Sequence, residues 1–239
     1  MLVKAYSGAV IGIGAIKISI EVHISQGIRF FIVGLADHAI RESQQRIESA
    51  LSTTGFEWPR FRVVINLAPA DIRKEGSHFD LPLAVGILAA SQQVGAEHLD
   101  EYLIVGELSL DGSVMPVRGV LTMVLLAREK KFKGVIVPAG NAAEARVVEG
   151  IEVVEVEDLG EVVSFLNGEP SKKKLRIKLA GNPDIKLQSS QSNFSEVKGQ
   201  AMVKRAMMIA AGGSHNLILA GPPGSGKSMM ARRLPSILP

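Results

Sequence analysis

From Ile16 to Ser25 the chain alternates without a break. Ile16, Ile18, Ile20, Val22 and Ile24 interleave with Lys17, Ser19, Glu21, His23 and Ser25. That period of two predicts a half-buried strand, so the apolar start MLVKAYSGAVIGIGAIK, which mimics a signal peptide, reads as folded protein. Arg29–Val33 predicts a second strand, with Gln26-Gly27 as the turn of a hairpin between the two. The period then changes. Asp37 is placed to cap a helix running to about Leu51, with Ile40, Ile47, Ala50 and Leu51 on one face and Arg41, Glu42, Arg46 and Glu48 on the other.

Further along, Phe61–Ile65 predicts a strand, Asn66 to Ser77 a polar loop, and Phe79–Ser91 an apolar helix that carries Pro82 in its first turn. Short strands follow at Tyr102–Gly106 and Glu107–Leu110, turned by Asp111-Gly112. After them come a helix at Val120–Lys131, a buried strand at Gly134–Pro138 and a helix at Asn141–Val148. A strand at Ile151–Val156 and a final helix capped by Asp158 complete the series. This is a layered α/β domain with antiparallel pairs and helices over a sheet, and we bound it at residues 1–168. No internal repeat interrupts it.

From Glu169 to about Asn193 the periodicity fades into a polar, basic stretch that includes Lys172–Lys174, and we read 169–193 as a linker. The texture sharpens again from Phe194, where Val203, Ala206, Met207 and Ala210 share a helical stripe. Charge follows the same division. Residues 1–170 hold 15 Lys/Arg against 22 Asp/Glu, whereas residues 171–239 hold 12 against 2. The basic part suits a polyanion such as nucleic acid or nucleotide, or counter-charge from further protein. With no cysteine, disulfides, thiolate metal sites and thiol nucleophiles are excluded, and a reducing cytoplasm is compatible. No apolar run reaches membrane-spanning length, so we expect a soluble protein with no membrane partner.

The chemistry is concentrated near the C-terminus. Gly221-Pro222-Pro223-Gly224-Ser225-Gly226-Lys227-Ser228 has the spacing G-x-x-x-x-G-K-[ST]. An apolar run, Leu217–Ala220, leads in as an expected buried strand, and Lys227–Leu234 is placed to open a helix. Glycines let successive backbone N–H groups converge, the helix N-terminus adds its positive dipole end, and Lys227 reaches the β/γ-phosphates. Residues 221–229, closing with Met229, form the candidate nucleotide site, ATP the expected ligand, and Ser228 the Mg²⁺ ligand. Hydrolysis needs an acidic residue on a later strand, and nothing after Ser228 is acidic. We therefore expect the opening of a P-loop ATPase domain over 194–239, cut short within a larger protein.

Four blocks carry a resemblance: VGLADHAIRESQQRIESAL, INLAPADIRKEGSHFDLPLAVGILAAS, VGELSLDGSVMPVRGVL and GQAMVKRAMMIAAGGSHNLILAGPPGSGKSMMARRLPSILP. Together they resemble the magnesium-chelatase-like AAA+ ATPases of the YifB/ComM type, nearly end to end. The resemblance implies a Lon-protease-like, ribosomal-protein-type α/β domain, a linker, and an AAA+ module that closes into a homo-hexamer around DNA. It further implies an ATP-driven, helicase-like motor on branched DNA in natural transformation. The alternative is a non-catalytic module in which the Lon-like domain binds single-stranded or forked DNA, or protein. Arg60, Arg62, Arg73 and Lys74 are the candidate DNA contacts.

Peptidase chemistry is not expected. Ser77 lies near the position of a Lon-type serine nucleophile, but the helix expected to supply the lysine has none before Lys130. Ser77, His78 and Asp80 are neighbours in one loop, and triad members must converge in space. The five histidines show no metal-ligand spacing, and nothing forms a porphyrin pocket.

Overall fold

The first strand precedes the one that the alternation marks. In the computed structural model, β1 (Leu2–Ile11) and β2 (Gly14–Ser25) form an antiparallel hairpin paired along its whole length. The structure describes residues 1–168 and 194–237, together with the backbone of 177–179. By internal contacts the chain divides into Met1–Pro183 and Asp184–Pro239. Lys172–Lys174 and most of the expected linker lie outside the described residues. Ile177–Leu179, inside that stretch, is the strand β10, antiparallel to β9.

The N-terminal unit is built on one eight-stranded mixed sheet. It contains β1, β2, β3 (Phe30–Val33), β4 (Arg62–Ala68), β5 (Tyr102–Ile104), β8 (Gly134–Pro138), β9 (Glu152–Val156) and β10. Their order is β10-β9-β8-β5-β1-β2-β4-β3. A small ribbon pairs β6 (Glu107–Leu108) with β7 (Val114–Met115) around the Asp111-Gly112 turn.

The expected hairpin between β2 and β3 does not form. β4 inserts between them, antiparallel to β2 and parallel to β3. The reason is that β4 continues to Ala68, three residues past the expected Ile65, and its Val63, Ile65 and Leu67 are the buried row. A short β3 gains more by lying beside that row, with α1 as the crossover. Gly34, at φ +99°, makes the exit possible, because a Cβ there would lie 2.2 Å from the Leu67 carbonyl oxygen.

Helices α1 (His38–Thr53) and α2 (Asp80–Ala90), with α5 (Leu159–Leu166), cover one face of the sheet. Asp37 caps α1 as expected, its Oδ1 accepting from the Ile40 N–H at 2.9 Å. Asp158 caps α5 in the same way, through the Glu161 N–H. All of α2 is buried, which explains a sequence apolar on every side. On the other face, α3 (Val120–Glu129) and the short α4 (Ala142–Ala145) pack against β5, β8 and β9 in a second core. α3 also packs over the β1–β2 hairpin, where a Cβ at Gly8 would lie 3.1 Å from Met123, and the rest of the β1-β2-β4-β3 end of that face is left open.

The C-terminal unit holds α6 (Ala201–Gly212), α7 (Lys227–Arg233) and short 3-10 turns, gathered on Phe194, Val197, Met207 and Met230. Of the expected α6 stripe, Met207 and Ala210 are buried while Ala206 is exposed. The expected strand at Leu217–Ala220 is absent, and Ile218 is 91% exposed. A strand exists only through a partner's hydrogen bonds, and among the described residues no segment pairs with this one.

Candidate functional site

The phosphate-loop motif folds into a tight turn on the N-terminus of α7. The Ser225 N–H and Oγ both reach back to the Pro222 carbonyl, at 3.4 and 2.9 Å. Gly224 and Gly226 take φ +81° and +84°, a region that only glycine enters cheaply, and Gly226 starts the helix there. The Lys227 ammonium arches over the loop, donating to the Gly221 and Pro222 carbonyls at 2.7 Å each and to Ser225 Oγ at 3.3 Å.

That donor set fits a nucleotide's phosphates. The first turn of α7 leaves the N–H groups of Lys227, Ser228 and Met229 without intrahelical acceptors. The ammonium and the exposed Ser228 hydroxyl stand beside them, and no carboxylate lies between Gly221 and Pro239. Gly221–Gly226 would cradle the phosphates through backbone N–H groups and Lys227 would neutralise charge. Ser228 would hold Mg²⁺, which draws the phosphoryl charge toward itself when bound.

The four candidate DNA contacts do not form one surface. Arg62 lies on the open sheet face, its guanidinium 5.5 Å from the Phe31 ring centre. Arg60 lines a groove beside α1 with Glu48 and Trp58. Arg73 pairs with Glu75 at 3.0 Å. Lys74 requires a correction. It is 0% exposed, and its ammonium donates to the carbonyls of Gly34 and Pro69. Burial pushes its pKa down. An ammonium spent on two backbone carbonyls behind β3 cannot reach a DNA phosphate, although its sequence neighbours are exposed.

The Ser77 loop is held by three unrelated partners. Ser77 Oγ donates to Glu107 at 2.5 Å, His78 Nε2 meets the Gly8 carbonyl at 2.9 Å, and Asp80 takes a bidentate contact from Arg46 at 2.7 and 2.9 Å. The three side chains diverge and make no triad, as the loop reading expected. Burial raises the Asp80 pKa against the pull of Arg46, and burial holds the His78 imidazole below its ordinary value. Sequence reasoning missed Arg46 and Glu107 as partners, since only the fold brings residues 34 and 30 positions apart together. Among the described residues no group of His, Asp and Glu is arranged to hold a metal ion, and no helix is long and apolar enough to cross a membrane.

Comparison with known proteins matches residues 20–141 to the family described as subunit ChlI of Mg-chelatase, and residues 193–239 to magnesium chelatase, subunit ChlI. Competence protein ComM of Haemophilus influenzae is 41% identical over 100% of this chain and 47% of its own length. The uncharacterized protein YifB of Escherichia coli is 39% identical over 98% of this chain and 45% of its own. Lon protease 2 of Bacillus subtilis is 28% identical over 55% of this chain and 24% of its own. The chain thus spans about half the length of the curated ComM and YifB relatives. The α/β fold of its N-terminal unit is Lon-like.

Proposed function

The chain belongs to the family of subunit ChlI of magnesium chelatase, among the magnesium-chelatase-like AAA+ ATPases of the YifB/ComM type, and from that premise we propose that it is the N-terminal portion of an ATP-driven motor that remodels branched DNA. In this reading ATP and Mg²⁺ are held by Gly221–Met229, with Ser228 on the metal. The whole protein assembles as a homo-hexamer around DNA and works in the cytoplasm during natural transformation. The name of the Haemophilus relative supports a link to competence.

One observation carries the nucleotide part: the Lys227 ammonium folds over the glycine turn onto the Gly221 and Pro222 carbonyls, beside the first turn of α7. The residues that hold the catalytic water and complete the metal site are expected beyond Pro239. Lys227→Ala in the full-length protein is expected to lower ATP turnover at least ~100-fold, since the ammonium stabilises charge at the transferred phosphoryl group. The wild type is expected to hydrolyse ATP faster in the presence of a synthetic four-way DNA junction. An ATPase rate unaffected by Lys227→Ala, or indifferent to the junction, would sink the motor reading.

A further inference from the structure

The strand registers lay out the open end of the sheet as rows that cross it. Phe31, Val64, His23 and Leu2 form one row, and Val33, Asn66, Glu21 and Lys4 the next. Ala68, Ser19 and Tyr6 form a third. Side chains one strand position apart point to opposite faces, so all of these share one face. It is the face opposite α1 and α2, and among the described residues α3 is the helix that borders it. Phe31 is 40% exposed and Val33 49%.

Each end of this face carries a cation set over an aromatic ring. At the β3–β4 corner the Arg62 guanidinium lies 5.5 Å from the centre of Phe31. At the β1–β2 side Lys17 Nζ lies 4.8 Å from the centre of Tyr6. Tyr6 in turn meets Phe132 edge-on at 5.6 Å. There, next to Lys131 and Lys133, the face runs into a groove of about 370 Å³ that also contains Asp100 and Glu101. The Phe31 and Tyr6 positions stand three strand spacings apart across the sheet and four residues apart along it, about 20 Å in all.

The charge bookkeeping separates this face from the rest of an acidic domain. Lys4 is matched by Glu21, Lys133 by Glu101 and Lys130 by Glu129. Lys17, Lys131 and Arg62 have no carboxylate partner among the described residues, and Asp100 is the one acid left against them. Residues 1–170 as a whole carry seven more acids than bases. A net positive surface with aromatic rings on a net negative domain selects a polyanion that also offers flat rings. An acidic peptide meets the charge but not the aromatics; duplex DNA keeps its base faces stacked on one another, so the rings have none to stack on. A single strand supplies both, with bases to stack and phosphates to pair.

We propose that the open β3-β4-β2-β1 face, with Phe31–Arg62 at one end and Tyr6–Lys17–Lys131 at the other, binds single-stranded nucleic acid. The assignment goes beyond the motor reading and stands without it, because it needs neither nucleotide nor the residues past Pro239.

The test is fluorescence anisotropy of a labelled 20-nucleotide oligothymidine with the 239-residue chain, titrated across salt in the absence of ATP. Lys17→Ala with Lys131→Ala is expected to weaken binding about ten-fold and to flatten the salt slope by about 1.4, the value for two phosphate contacts on a single strand. Phe31→Leu is expected to cost about five-fold or more through lost stacking. Arg60→Ala and Arg73→Ala lie away from the face and are expected to change the affinity less than two-fold. Photo-crosslinking of the wild type to bromodeoxyuridine strands provides a readout free of variant folding, with adducts expected on β1–β4 and on 130–133.

Adducts confined to 171–239, or affinity untouched by the double variant and by Phe31→Leu, overturn the proposal in favour of non-specific binding by the basic C-terminal part. Equal competition by polyglutamate overturns it in favour of an acidic protein partner. Lys227→Ala is expected to leave this binding intact, so failure here and failure of the motor reading are separable.

Discussion

His78 shows what burial does to one residue. Its ring packs 4.1 Å from Phe79, and Nε2–H donates to the Gly8 carbonyl of β1. Desolvation outweighs that hydrogen bond and holds the imidazole pKa below 6.5. The folded state therefore binds its proton less readily than the unfolded chain does. The sign follows: the contribution is complete above pH 6.5 and is lost as pH falls through the lowered folded value. Urea midpoints measured from pH 8 to 5 are expected to be flat and then to fall, and His78→Gln is expected to remove part of that fall. A midpoint that rises on acidification would contradict the buried, neutral ring. Neither the partial burial of this residue nor the full burial of Lys74 was legible from the sequence. Both sit in a stretch, Asp71–Ser77 and on to His78, whose composition is that of an exposed loop. What covers them is backbone that the sequence does not place there: the Gly8 carbonyl of β1 accepts from His78, and the carbonyls of Gly34, just past β3, and Pro69, just past β4, accept from Lys74.

At the scale of elements, several local signals were read correctly, although the expected helix Asn141–Val148 narrows to Ala142–Ala145. Asp37 and Asp158 were identifiable as caps because a cap is decided within three residues. The all-round apolar α2 and the strand Gly134–Pro138 likewise declared themselves by pattern. Pairing is not local, and there the reading failed: Gln26-Gly27 looks like a hairpin turn, yet β4 takes the place beside β2. The Leu217–Ala220 run has the composition of a buried strand and lacks a described neighbour to make it one. Asp37 is where a local and a non-local bond meet. Its Oδ1 caps α1, while its Oδ2 accepts the Gly76 N–H at 3.0 Å and its backbone N–H donates to the Lys74 carbonyl. Asp37→Ala removes the cap and frees the Ser77 loop, and is expected to cost about 2 kcal/mol, the upper end for an N-cap. Asp37→Asn keeps the Oδ1 cap and is expected to recover at least half. Chemical denaturation of both variants decides the point, and equal losses would mean that the capping bond contributes little.

For the whole molecule, the contrast between the two units decides what a nucleotide can do to each. The N-terminal unit encloses two cores on one sheet, with Ile18, Ile20, Ile47, Leu51, Ile65 and Leu83 fully buried. Each such side chain contributes roughly 1.5–3 kcal/mol on burial. Among the described residues the C-terminal unit gathers a small cluster on Phe194, Val197, Met207 and Met230, and it leaves Met202, Ile209 and Ile218 more than half exposed. Its backbone hydrogen bonds are short-range, so local opening there is expected to cost little free energy. A ligand that binds only the folded loop raises that cost by RT ln(1 + [L]/Kd), about 2.7 kcal/mol at a hundred times Kd. Hydrogen exchange followed by mass spectrometry is therefore expected to show fast exchange across 201–233 and slow exchange in β1, β2, β4 and α2. Added ATP–Mg²⁺ is expected to slow exchange in 221–230 and to leave α2 unchanged, and Lys227→Ala is expected to abolish that protection. Protection that persists in the variant would mean that the nucleotide is held without the lysine, and the phosphate-cradle assignment of Gly221–Met229 would fall with it.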